Sequence, residues 1–304
     1  MSNKKQNCAF ACDMGGTYIK AACVLPDGSL LEPFIMTASR SDGPLDGILE
    51  AWAETFTLLL AQADKAGLSI EGIGVSTPGP FDYKRKMSLM NHKFQAIRGI
   101  DLEEAIRGRI PLPDLPFLFV QDANAFLAGE QKFGAAKEVS NCTGVTLGTG
   151  LGFAAMADGR FLTNGWDACY IALYRQPWGD GILEDIVSGR GISTAYREAT
   201  GKELNAKDVG LAAKSGDCNA LEVMARLGAA LGRGIAFHMI HTYSELLVVG
   251  GQISKDFNLF ADTLIDALKK DGYTGPVRQA QYPEDAALYG AAGIVFQTQY
   301  FSIK

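Results

Sequence analysis

The sequence predicts an α/β protein made of two similar halves, each built on a mixed sheet. Strand pairs joined by tight turns alternate with amphipathic helices and short buried strands, a pattern that places antiparallel and parallel neighbours in one sheet. One supersecondary unit occurs twice. GGTYIKAACVLPDGSLL at 15–31 and GTGLGFAAMADGRFL at 148–162 each place a glycine cluster before an alanine-rich apolar strand, an Asp-Gly turn and another strand. The chain is also large enough: 304 residues, 47% hydrophobic and 20% charged, suit two domains or one large α/β unit. Those figures exclude intrinsic disorder, and a core of that size needs no disulfide staples.

Residues 8–25 read as a strand, a glycine turn and a second strand, after which Pro26-Asp27-Gly28 turns the chain into a third strand near 29–35. Over 44–66 the residues Leu45, Ile48, Leu49, Trp52, Phe56, Leu59 and Leu60 recur at helical spacing, and Gly67 ends the helix. A short buried strand at 70–76 closes on Thr77-Pro78-Gly79-Pro80. A helix near 102–109, a proline-rich connector at 111–116, a strand at 117–120 and a helix at 123–133 follow. Past the second hairpin, helices are expected over 181–200, 220–243 and 257–270. A strand at 245–249 ends in Gly250-Gly251, and an apolar-faced helix covers 284–299. The halves are expected to meet near 120–135. This gives an N-terminal domain 1–121, completed by the C-terminal helix 284–304, and a second domain 122–283, with ligands favouring the cleft between them.

Charge and targeting signals narrow the function classes. Lysine and arginine number 28 against 34 acidic residues, a net charge of −6, which argues against a nucleic-acid partner. The N-terminal lysines precede no apolar h-region and no apolar run approaches the ~20 residues of a membrane helix, so a soluble cytoplasmic protein without a membrane partner is expected. The six cysteines form no Cys-x-x-Cys pair and read as small core hydrophobes. Glycine, at 35 residues, is the excess to explain.

Several glycines fall in loops suited to chemistry. Asp13-Met14-Gly15-Gly16-Thr17 turns between two strands, where glycine lets backbone N–H groups converge on an anion, Thr17 adds a hydroxyl and Asp13 suits a hydrated Mg²⁺. The competing reading is an ordinary hairpin with a capping aspartate. Leu147-Gly148-Thr149-Gly150-Leu151-Gly152 is the counterpart in the second half. It looks like a dinucleotide fingerprint but opens a strand where a helix should follow, so a second phosphate-binding jaw fits better. Asp122 follows the strand Phe-Leu-Phe-Val and Gln121 and opens a helix. It is either an N-cap, the reading that residues alone favour, or a general base for a substrate hydroxyl. His238 and His241, three apart on a helix, are either a metal pair or a surface or capped pair without a third ligand.

Six segments in order, D-M-G-G-T, G-V-S-T-P-G-P-F-D, V-Q-D-A-N-A-F-L-A-G-E, L-G-T-G-L-G-F, L-E-D-I-V-S-G-R-G-I and V-V-G-G-Q-I-S, resemble the ROK family of sugar kinases and sugar-responsive repressors over nearly the whole chain. The resemblance implies two duplicated mixed-sheet domains of the actin–hexokinase, ribonuclease H-like type, with ATP and Mg²⁺ in an interdomain cleft. It places Asp13, Gly15, Gly16 and Thr17 at the phosphates, Gly148, Thr149 and Gly150 on the opposite jaw, and Gly250 and Gly251 by the adenosine. It makes Asp122 the base that deprotonates a sugar hydroxyl for attack on the γ-phosphate, and assigns sugar contacts to Gly79, Asn91, Gln121 and Glu184. It also implies a homodimer.

Departures from the family pattern bear on the substrate. Gln121 stands where the kinases usually carry Asn. Over 163–184 the usual Glu-x-Gly-His and zinc-binding cysteine cluster are missing: Asp167, taken as a sugar contact, and Tyr170 stand roughly where the Glu and His would fall, so no structural zinc is expected. Trp166, Tyr170, Tyr174 and Trp178 either stack on a sugar or pack the loop. The alternative to an ATP-dependent sugar kinase is a non-catalytic sugar-binding or regulatory relative. A DNA-reading module is not expected, because only 1–7 precede the first strand.

Overall fold

A computed structural model describes residues 5–112, 114–297 and 300. Packing divides the chain into two units: the first takes the described residues of 1–133, 163–170 and 285–304, the second Gly134–Leu162 and Ile171–Glu284.

Unit 1 is built on β1 (Asn7–Met14), β2 (Tyr18–Val24), β3 (Ile35–Ala38), β4 (Ser69–Thr77) and the later strand at 117–121, in the order β3-β2-β1-β4 and then that strand. The first three run antiparallel, while β4 lies parallel to β1 and pairs Asp13 with Ser76. β1 is an almost unbroken apolar run because both its faces are covered, as parallel neighbours require. The third strand lies at Ile35–Ala38, not at 29–35, where the chain makes only the isolated Val24–Leu30 bridge. Pro33 has no N–H to give a ladder, so pairing starts beyond it.

Helix α1 (Leu45–Ala66) turns Ile48, Leu49, Trp52, Phe56 and Leu59 into the sheet and ends on Gly67 at φ 67°. Trp52 stacks on Phe56 with 5.8 Å between centroids, and Phe56 meets Phe117 at the same separation. A short hairpin, β5 (Phe81–Asp82) with β6 (Met87–Ser88), precedes α2 (Leu102–Arg107). The connector expected at 111–116 includes residue 113, which lies outside the described residues.

Strand β7 (Phe117–Gln121) runs parallel to β4, pairing Thr77 with Gln121, and passes directly into α3 (Asp122–Phe133). α3 groups with unit 1, whereas the sequence expectation begins the second domain at 122. The reason is its packing against the C-terminal helix (Ala286–Phe296), whose small residues bring backbones unusually close. A Cβ on Gly290 would stand 1.7 Å from Ala125 O, and one on Gly74 of β4 1.8 Å from Ala291 O. No side chain fits at either place, so α3, β4 and the C-terminal helix lock together and hold the N-terminus of α3 in position. The helix expected to 299, and the completion expected to 304, reach 298–299 and 301–304, which lie outside the described residues.

Unit 2 repeats the same design with β8 (Cys142–Leu147), β9 (Leu151–Ala157), β10 (Arg160–Phe161) and two later strands, β13 (Leu246–Gly250) and β14 (Val277–Gln279), in the order β10-β9-β8-β13-β14. Again three strands are antiparallel and two are added in parallel. The repeated sequence segments are therefore the first hairpins of two sheets of one topology. Between them come the two-residue pair β11 (Pro177–Trp178) and β12 (Gly181–Ile182), α4 (Glu184–Val187), α5 (Gly189–Thr200), α6 (Ala206–Lys214), α7 (Cys218–His241) and, after β13, α8 (Ala261–Lys270). The helix expected over 181–200 is two helices, because Ser188 is extended at ψ 170° and caps α5 by accepting from Gly191 N–H. The helix expected over 257–270 begins as a 3₁₀ segment, Gln252–Leu259, before α8.

Five cysteines are buried and Cys218 is exposed. Among the described residues, no helix is long and apolar enough to cross a membrane.

Candidate active site

In unit 1, Asp13 is the penultimate residue of β1, and past Met14 the chain reverses through Gly15, Gly16 and Thr17. The turn is tight: Gly15 N–H donates to Tyr18 O at 3.0 Å, and a Cβ on Gly15 would lie 2.7 Å from that same oxygen. Two loop carbonyls are tied back to the end of β3. Ser39 Oγ donates to Gly16 O at 2.7 Å and Ser39 N–H to Thr17 O at 2.9 Å. Thr17 is exposed. Burial pushes the Asp13 carboxyl up to about 6, opposed by Ser76, Lys20 and Lys93 and reinforced by the charge of Asp122.

Asp122 is the first residue of α3, at the carboxyl end of β7, the end where parallel sheets present ligand-binding groups. Its Oδ1 accepts from Ala123 N–H at 2.8 Å. Solvent touches the side chain, yet the protein packed behind it raises the carboxyl above its ordinary range, with Ala123 N–H and Lys93 working the other way. Beside it Tyr83, whose hydroxyl donates to Thr77 O at 3.2 Å, is held neutral by burial and by the Asp122 charge. The carboxylate thus bonds the first turn of its own helix and remains open to solvent.

The segment 163–170 folds onto unit 1. Thr163 bridges Cys169, Asn164 N–H donates to Ala168 O, and Tyr83 N–H donates to Trp166 O at 3.0 Å. Gln121 reaches this segment, its Oε1 accepting from Cys169 N–H at 2.6 Å. Asp167, at φ 59°, lies 3.5 Å from Lys84 Nζ, so part of its charge is already answered within the protein. Trp166 is 53% exposed and is not a packing residue. Gly79, before Pro80, is half-buried, with its Cβ position 4.0 Å from Tyr83 Oη, and Asn91 is exposed. Unit 1 therefore brings Asp13, Gly16, Gln121 and Asp122 together with Asp167 on the adjoining loop.

Unit 2 gathers its own set. Gly148–Thr149–Gly150 links β8 to β9, with Gly148 O accepting from Gly189 N–H at the start of α5. Glu184 Oε2 accepts from Leu151 N–H at 2.9 Å and would lie 2.6 Å from any Cβ on Gly150, so that glycine makes room for the glutamate. Gly251, at φ 82°, packs its α-carbon against Leu147, where a Cβ would meet the carbonyl at 2.4 Å. Glu184, Gly150 and Gly251 thus converge on one turn. Nothing in their sequence spacing shows that Glu184 and Gly150 touch.

The histidines are engaged elsewhere. His241 Nδ1 lies 2.7 Å from Phe237 O, its ring packs on Phe237 at 3.8 Å between centroids, and His238 meets that ring in an edge-type contact at 5.4 Å. Among the described residues no group of three His, Cys, Asp or Glu side chains is arranged to hold a metal ion.

Sequence reasoning missed Lys93, which acts on both Asp13 and Asp122. A single lysine in the polar run Asn-His-Lys carries no signal of its own. It also missed Ser39, which ties down the Gly16 loop from just past the end of β3.

Two mixed sheets of one topology, with an aspartate near the end of the first strand of unit 1 and glycine-threonine hairpin turns in both units, define an α/β protein of the actin–hexokinase type. The chain belongs to the ROK family, matched over residues 9–167 and 179–298. It is 27% identical to a glucokinase of Thermotoga maritima over 93% of this chain and 95% of that relative. It is 28% identical to an N-acetylmannosamine kinase of Escherichia fergusonii, covering 93% and 96%. The fold matches a ROK family glucokinase from Streptomyces griseus, solved with glucose and AMPPNP, at a TM-score of 0.75, with 24% identity and coverage of 96% of this chain and 100% of that one.

Proposed function

We propose that this protein is an ATP- and Mg²⁺-dependent kinase that transfers the γ-phosphoryl group to a hydroxyl of a hexose or hexose derivative. The observation that carries the reading is the pairing of Asp13 and Asp122 in unit 1, close enough that the charge of one raises the proton affinity of the other. A carboxylate at a phosphate-type turn and a second at a helix terminus open to solvent are what in-line phosphoryl transfer to a hydroxyl needs. That curated relatives across nearly the full chain are sugar kinases supports it.

In this mechanism Asp122 accepts the proton of the sugar hydroxyl as its oxygen bonds to the γ-phosphorus. The bond from that phosphorus to the β,γ-bridging oxygen breaks, and ADP leaves. Gln121 positions the sugar with its Nε2, since its Oε1 already binds Cys169. Asn91, Gly79 and Asp167 contribute further sugar contacts from unit 1. In unit 2, Glu184 is the sugar-binding carboxylate, Gly148, Thr149 and Gly150 face phosphate, and Gly250 and Gly251 face adenosine.

The residues fit a hydrated Mg²⁺. The Asp13 carboxylate, with the Ser76 hydroxyl beside it, is the kind of sparse oxygen donor set such an ion uses when phosphate oxygens and water complete its shell. When bound, the ion neutralises charge on the phosphates. The family's alternative of a sugar-responsive regulator lacks a specific observation in its favour here. A coupled ADP-release assay over hexoses, N-acetylhexosamines and rarer sugars tests the proposal: one sugar should stimulate ADP formation well above the sugar-free rate, and tight sugar binding without turnover would refute it.

A further inference from the structure

Building on the kinase reading, we infer that Lys93 is a catalytic residue of the transfer, its ammonium contacting the γ-phosphoryl group of bound ATP. The segment carrying it is held firmly. Met90 and Phe94, fully buried on either side, anchor it in the core of unit 1, and Phe94 N–H donates to Ser41 O at 2.9 Å. Ser39, two residues before Ser41, is the residue that ties down Gly16 and Thr17. One short stretch of chain after β3 thus fixes the phosphate-type turn and the Lys93 segment relative to each other.

The lysine stem runs toward that turn: its Cδ lies 3.9 Å from the Cβ position of Gly16. Its charge reaches both Asp13 and Asp122, and it enters no ion pair among the described residues. A cation placed between the turn that faces phosphate and the carboxylate that faces the acceptor stands where the moving phosphoryl group passes. There a preorganised positive charge stabilises the transferring oxygens. A lysine serves as a point charge for this, without the planar geometry that an arginine would impose. An acidic sugar is the other anion this cation suits, but the stem lies on the side of the phosphate-type turn.

The test compares wild type with Lys93→Met and Lys93→Arg, after melting temperatures establish that each is folded. Binding of Mg²⁺ with β,γ-imido-ATP and with ADP is measured by calorimetry, which needs no turnover. Lys93→Met should lose about tenfold in affinity for the imido analogue and keep its ADP affinity, with Lys93→Arg recovering most of the loss. With an accepted sugar, kcat should fall about 100-fold while sugar affinity is unchanged. Equal affinities in wild type and Lys93→Met overturn the inference and leave the kinase reading standing, as does a loss confined to sugar binding. A wild-type chain that binds neither nucleotide overturns both.

Discussion

Gln121 Oε1 accepts the backbone N–H of Cys169 at 2.6 Å, so the residue before the candidate base also holds the segment 163–170 against unit 1. A longer amide at 121 reaches that N–H and keeps one donor nitrogen for a ligand. Gln121→Asn should retract the oxygen and release the loop. Sugar KM is expected to rise about tenfold with a small change in kcat, since one hydrogen bond is worth about 1 kcal/mol and the loop carries Asp167. Steady-state kinetics on an accepted sugar check this, and an unchanged KM would contradict it.

Asp122→Asn removes the proton acceptor and keeps the shape. Turnover should fall about 10²–10⁴-fold, with sugar affinity by calorimetry within about threefold of wild type. Near-normal turnover would show that another group takes the proton.

Glu184 owes its place to a missing side chain. Gly150→Ala would thrust a methyl into Glu184 Oε2, and the bond to Leu151 N–H would break. Sugar affinity should drop about tenfold or more, while the melting temperature shifts by only a few degrees because the turn is at the surface. Intact affinity would remove Glu184 from the sugar site.

The close packing of the C-terminal helix makes a stability prediction. Gly290→Ala forces a Cβ into Ala125 O and should cost about 3 kcal/mol or more, or prevent folding, whereas Gly67→Ala, where a Cβ meets nothing, should cost only about 1 kcal/mol for its left-handed backbone. Urea unfolding of the two variants checks the contrast.

Acidity follows from Asp13. Its carboxyl is raised from the ordinary 3.8 to about 6, so the folded chain binds a proton more tightly than the unfolded chain. Stability of the nucleotide-free protein should therefore decrease as pH rises from about 4 to about 6, by about 1–3 kcal/mol, and then level off. Asp13→Asn should abolish that part of the slope. Because Asp122 is also raised, the acid limb of kcat/KM should lie above the ordinary aspartate range.

Much of this was legible in the residues. Hairpin turns at Gly15–Thr17 and Gly148–Gly150, the buried strand before Pro78 and the capped helix ending at Gly67 all obey local rules, and the repeat announced two sheets of one topology. What the sequence left hidden depends on approach in three dimensions. Nothing local says that Gly290 touches Ala125, which assigns α3 to unit 1. Ser188 splits one helical pattern into two because its hydroxyl prefers a capping bond, a choice that apolar periodicity does not register. Lys93 stands among polar neighbours and acquires meaning only once Met90 and Phe94 are buried around it.

The most direct test of a sugar kinase with Asp122 as its base is phosphorus NMR of ATP incubated with Mg²⁺ and each sugar in turn, for wild type and Asp122→Asn. A sugar phosphate ester should grow in step with ADP in the wild type, with almost none in the variant. Inorganic phosphate as the sole new product, or ester formation at equal rates in both proteins, would contradict it.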